Sequence, residues 1–217
     1  MRVRIKICCI ATPEEAMLAI RLGADALGLV AAMPSGPGPI SDDAIAEITA
    51  LVPPPVATFM LTAETTAEAI AAHIDRTGPS TVQIVSHIAP EESRALMTLR
   101  PDIRRVQVIH VEDRGALDLI PHYAPFVHAF LLDSGRPGAS VPELGGTGRP
   151  HDWSISRDFV AASPRPVFLA GGLTAGNVRQ AVEQVRPFGL DLCSGVRTDG
   201  KLDEVKLRAF MRAANGS

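Results

Sequence analysis

The 217-residue sequence predicts an α/β protein folded as a single (β/α)8 barrel over residues 1–217. Three observations carry the prediction. Short apolar segments alternate with amphipathic ones along the whole chain. The alternation comprises eight strands and eight helices. Strand starts recur about every 25 residues, the length of one strand–helix unit. Unbroken alternation means a parallel sheet, and eight units is the number that closes it into a TIM barrel. An open doubly wound sheet would show G-x-G-x-x-G after its first strand, and residues 8–14 hold nothing of the kind. No linker, low-complexity stretch or second domain interrupts the pattern.

The elements follow in order. VRIKIC (3–8) alternates as a strand. PEEAMLAIRLGA (13–24) is a helix with Thr12 as N-cap, Pro13 at its first position and two glutamates in its first turn. DALGLVA (25–31) is a strand, and SDDAIAEITALV (41–52) a helix capped by Ser41. Strands at 55–62, 80–86, 103–111 and 127–133 are followed by helices at 65–75, 90–100, 114–122 and 153–163. RPVFLAG (165–171) and GLDLCSG (189–195) are the last two strands, with helices at 174–185 and 202–214. The loops after the second and sixth strands are the long ones.

Composition narrows the class. Net charge is −3 with both signs mixed, which provides no basic surface for nucleic acid. No apolar run reaches the roughly 20 residues that span a bilayer, and MRVRIKICC lacks the long apolar core of a signal peptide. Three cysteines make neither a disulfide framework nor a zinc set, so a reduced, cytoplasmic protein without metal or organic cofactor is expected.

In a barrel of this type the site lies at the C-terminal strand ends. Strand seven ends in Gly171-Gly172 and strand eight in Ser194-Gly195-Val196. Glycine turns leading into helices at these two positions suit a phosphate, which backbone amides would cradle, with Asn177 closing the pocket. On strand one, alternation puts Val3, Ile5 and Ile7 outward and Arg4, Lys6 and Cys8 inward, with Cys8 at the top. Leu131 and Asp133 share a face on strand six, again with the polar residue at the top. A thiol and a carboxyl group at two strand ends can work as base and acid across one pocket. His110 ends strand five and is a candidate pocket residue. His151 beside Asp152 lacks further metal ligands, and Asp152 is the expected cap of the helix at Trp153.

Several stretches resemble the phosphoribosylanthranilate isomerase family of tryptophan biosynthesis. KICCIATPEEA is similar to the family's KICG-I-T-x-x-E-x-A, GADALGLV to G-A-D-x-x-G-x-V, and GGTGRPHDW (145–153) to G-G-T-G-x-x-x-D-W. LAGGLTAGNV and GLDLCSGVR resemble the family's last two strand ends, and FLLDS its sixth. The matches are collinear over nearly the whole chain. The resemblance implies an Amadori rearrangement of a phosphoribosyl small molecule, with Asp133 as general acid and Cys8 as general base. It also places Lys6, Gln83, Gly146 and Arg197 around the pocket, and suggests a monomer or homodimer. The chain departs from the family pattern in four places. Cys9 replaces a glycine, Gly38 an arginine that grips the substrate carboxylate, Val85-Ser86 a His-Gly pair, and Arg197 a glutamate. Arg197 is therefore expected to supply a cation to the pocket from another side. The same constellation also suits a relative acting on another phosphosugar amine, or a barrel that binds a phosphate ligand without turnover.

Overall fold

The computed structural model describes residues 2–135 and 151–216. Eight parallel strands close into a barrel in chain order: β1 (Arg4–Ile7), β2 (Ala26–Val30), β3 (Ala57–Thr62), β4 (Thr81–Ile84), β5 (Arg104–His110), β6 (Ala129–Asp133), β7 (Val167–Leu169) and β8 (Gly189–Leu192). The seam closes where β1 runs beside β8, with Lys6 opposite Asp191 and Ile7 opposite Leu192. Helices α1 (Pro13–Arg21), α2 (Asp42–Leu51), α3 (Ala67–Thr77), α4 (Pro90–Leu99), α5 (Ile120–Tyr123), α6 (Trp153–Ala162), α7 (Val178–Val185) and α8 (Glu204–Asn215) alternate with the strands.

The predicted caps are formed. The Thr12 side chain accepts from the Glu15 amide, Ser41 from Ala44, and Asp152 from Ser154. Each satisfies one of the amides a helix N-terminus leaves open. Boundaries differ where local geometry intervenes. α1 stops at Arg21, ahead of Gly23 with φ +98°. The helix expected at 114–122 is a 3₁₀ stretch, Arg114–Leu119, running into the short α5. The last strand ends at Leu192, because Ser194–Val196 turns as a 3₁₀ helix. A small antiparallel ladder, β9 (Arg197–Thr198) with β10 (Lys201–Leu202), precedes α8 and was not foreseen.

Strand alternation sorts the side chains into two cores. Ile5, Ile7, Leu27, Leu29, Phe130 and Leu190 face the helices and pack with Ile45, Ile70, Phe159 and Phe210. Cys8, Ala26, Phe59, Leu61, Val106, Leu131 and Phe168 fill the barrel interior. Arg4 is exposed at the opposite end of the strand from Cys8.

Candidate active site

The inward row of β1 begins with a charge. Lys6 is fully buried, and its Nζ donates to Asp191 Oδ1 on β8 at 2.8 Å. Burial opposes the ammonium, but Asp191 outweighs it, so the lysine stays protonated well above its usual range. The Lys6 Nζ also lies 5.5 Å from the centre of the Phe59 ring, a position that favours a cation. Lys6 is therefore a floor beneath the site rather than part of its lining. Gly28 on β2 makes room for this column: a Cβ there would meet Cys8 Sγ at 2.7 Å and Lys6 Nζ at 2.9 Å.

Above that floor opens a cavity at the C-terminal ends of the strands. Cys8, Gln83, Asp133, Gly171, Gly172 and Ser194 all line it. A thiol from β1, a carboxylate from β6 and the turns after β7 and β8 thus share one space, as topology predicts. The Asp133 Oδ1 accepts from the Ser134 amide at 2.7 Å. Gln83 is buried, and its amide oxygen has no hydrogen-bond partner among the described residues. A buried orphan acceptor of this kind suits a donor brought by a ligand.

The two turns that follow β7 and β8 are tightly built. Gly171 and Gly172 take φ values of +88° and +63°, where a side chain is strained. A Cβ on Gly195 would sit 2.0 Å from the Leu173 carbonyl oxygen, so the turns after β7 and β8 touch through backbone. Three expected partners do other work. Asn177 does not line the cavity: its side chain accepts from the Thr174 amide and donates to the Gly172 carbonyl, bracing the turn from behind. Gly195 and Val196 also lie outside the lining. Val196 is fully buried, and its amide donates to the Cys193 carbonyl.

Two further pocket expectations are corrected. His110 is buried outside the lining, with Nε2 against the Val85 carbonyl at 3.0 Å and its ring 5.3 Å from that of His87. Arg197 supplies no cation to the cavity. Its guanidinium pairs with Glu15 at 3.1 Å and donates to the carbonyls of Cys8, Cys9 and Gly200. It clamps the end of β1 instead. Gly146 lies outside the described residues. Gly38 takes φ +82°, and a Cβ there would lie 2.7 Å from Cys9 Cβ. Positions 9 and 38 are therefore in contact: the Cys9 side chain occupies the space that a side chain at 38 would need.

Sequence reading missed Asp191, Cys193, Met33 and the Ser35–Pro37 loop, all of which line the cavity. The signal for Asp191 was present. It is an acidic residue on the inward face of an apolar strand, beside Lys6 on the strand that completes the seam. Burial pushes its carboxyl upward, against the pull of the Lys6 ammonium. Met33 and Ser35–Pro37 sit on a loop whose path no periodicity predicts. No cluster of three or more metal-ligating side chains occurs among the described residues.

The closed eight-stranded barrel and a mouth formed by side chains at the strand ends define a (β/α)8-barrel enzyme. The family model for N-(5'-phosphoribosyl)anthranilate (PRA) isomerase matches residues 5–213. The N-(5'-phosphoribosyl)anthranilate isomerase of Thermosynechococcus vestitus is 36% identical over 197 residues, covering 91% of this chain and 83% of that one. The crystal structure of phosphoribosyl anthranilate isomerase from Thermotoga maritima superposes with a TM-score of 0.84 at 30% identity, covering 99% of this chain and 100% of the other. A phosphoribosyl anthranilate isomerase in complex with reduced 1-(o-carboxyphenylamino)-1-deoxyribulose 5-phosphate gives a TM-score of 0.81 at 28% identity, covering 99% and 100%. The chain belongs to the N-(5'-phosphoribosyl)anthranilate isomerase family.

Proposed function

We propose that Cys8 is the general base and Asp133 the general acid of the family's reaction, with the turns after β7 and β8 holding the substrate phosphate. The chain is an N-(5'-phosphoribosyl)anthranilate isomerase, converting its substrate to 1-(o-carboxyphenylamino)-1-deoxyribulose 5-phosphate. Asp133 protonates the furanose ring oxygen, and the ring opens to an iminium. Cys8, as thiolate, then removes the C2′ proton, giving an enolamine that tautomerises to the aminoketose. Phosphate bound at Gly171, Gly172 and Ser194 is remote from the reacting carbons. Its binding energy can therefore orient the sugar between the two proton-transfer groups.

The observation that carries this reading is that Cys8, Asp133 and both turns line a single cavity. The orphan oxygen of Gln83 is placed to accept from a sugar hydroxyl or the substrate nitrogen. Turnover by the purified protein tests it. Cys8→Ala and Asp133→Asn should each lower kcat at least about 100-fold, the usual contribution of a positioned acid or base. Either variant turning over at the parental rate would remove that residue from the mechanism.

A second observation favours a broader substrate range. Among the described residues lining the cavity there is no arginine or lysine to grip the anthranilate carboxylate. A phosphoribosylaniline lacking the carboxylate should then retain kcat/KM within about tenfold, since a bidentate carboxylate clamp is worth about 1.5–3 kcal/mol. A loss beyond about 100-fold would show that the carboxylate is recognised after all.

A further inference from the structure

The cysteines of this chain do not share one role. Cys8 Sγ sits over Gly28 of β2. Cys9, one residue past it, is held at φ +60° with its thiol beside that of Cys8. There its sulfur meets that of Cys193, at the end of β8, at a separation of 2.6 Å. The contact crosses the barrel seam, joining residues 184 apart in sequence. The backbone holds it there: β1 and β8 pair in register up to Ile7 and Leu192, and the Cys8 amide donates to the Leu192 carbonyl at 2.8 Å. Arg197 fixes the same corner by donating to the carbonyls of Cys8 and Cys9. Both sulfurs belong to the wall of the open cavity, so a small oxidant can reach them although Cys9 is buried.

We propose that Cys9 and Cys193 form a reversible dithiol–disulfide pair that staples the first strand to the last, while Cys8 keeps its thiol. The inference rests on the seam geometry and not on the proposed roles of Cys8 and Asp133. With a peroxide as oxidant the atoms balance. The Cys193 thiolate attacks one peroxide oxygen, the O–O bond breaks, and Cys193 becomes a sulfenic acid as hydroxide leaves and takes up a proton. Cys9 sulfur then attacks Cys193 sulfur, the S–O bond breaks, and the Cys9 proton departs with that oxygen as a second water. Two electrons pass from the two sulfurs to the peroxide. The local charges suit this order. The Cys9 hydrogen bond holds the Cys193 thiol below its ordinary range, against burial and with help from Arg197. The same contact with Cys193 raises Cys9. The lower-pKa thiol is therefore the attacking one.

The test is to treat the full chain with hydrogen peroxide, denature it, and count free thiols with and without dithiothreitol. The count should fall from three to one and return to three on reduction. Mass spectrometry should find the tryptic peptides 7–21 and 180–197 joined. Cys8→Ser should fall from two thiols to none, whereas Cys193→Ser should keep two and Cys9→Ser should yield no joined peptide. The oxidised parent should melt about 5–10 °C above the reduced form, as expected for a cross-link closing so long a loop, with no such rise in Cys193→Ser. Three titratable thiols after oxidation, a Cys8–Cys9 link surviving in Cys193→Ser, or an unchanged melting temperature in the cross-linked parent would each overturn the proposal.

Discussion

Lys6 and Asp191 show how one residue pair supports the site without belonging to its chemistry. The ammonium is fully buried, and the carboxylate is its one charged partner by distance among the described residues. Removing one member strands the other in a low-dielectric interior, which costs more than the pair itself contributes. Lys6→Met should therefore lose about 3–5 kcal/mol in urea unfolding. The double variant Lys6→Met/Asp191→Leu should recover much of that loss, and a double variant no more stable than Lys6→Met would show that the charge pair is not the cause. The positions of Cys8 and Asp133 at strand tops were legible from alternation alone, because the side-chain period in a strand is two. The diversion of His110 was not. Its fate depends on the Val85 carbonyl of the neighbouring strand, which no local pattern reveals.

The decisive elements are the two turns that close the mouth and the clamp behind β1. Backbone contact between the turns leaves no room at position 195, since the nearest atom to an added Cβ is the Leu173 carbonyl oxygen, which cannot swing aside. Gly195→Ala should shift the turn and raise KM for the phosphorylated substrate with a smaller change in kcat; initial-rate kinetics distinguish this from a general loss of fold. Arg197 joins α1, β9 and the end of β1 through Glu15 and the Cys8 and Cys9 carbonyls. Glu15 in turn accepts from the amides of Ala11 and Leu202, and its carboxyl lies below the usual range because Arg197 first, and then these amides, overcome its burial. Arg197→Ala should cost about 3 kcal/mol of stability, measured by denaturant unfolding, because it leaves a mostly buried carboxylate unpaired. The sequence marked Arg197 only as a departure from a family glutamate. Its real partner lies 182 residues away, across the barrel seam, and only closure brings the two together.

At the scale of the molecule, histidines held in their neutral form set the response to acid. His87, His110, His128 and His151 are all held below the ordinary imidazole range, chiefly by burial, and His151 falls to about 4. A depressed folded-state pKa means that the unfolded chain binds protons first. Stability is thus full above about pH 6.5, the unfolded value, and declines as pH falls toward the folded values. The urea midpoint should drop steadily between pH 6.5 and about 4, and His151→Asn should flatten the lower part of that slope. A midpoint constant across that window would contradict the assignment. The sequence by itself determined the eight strand–helix units, their caps, and the rim positions of the thiol, the carboxylate and the glycine turns, because these follow from periodicity and from residue-specific backbone preference. Tertiary structure alone decided that Arg197 clamps rather than lines, that Asp191 neutralises Lys6, that Cys9 excludes a side chain at position 38 and that its sulfur meets Cys193. Each of these is a contact between strands or loops distant in the chain, and all but the one at position 38 exist only once the first strand lies against the last.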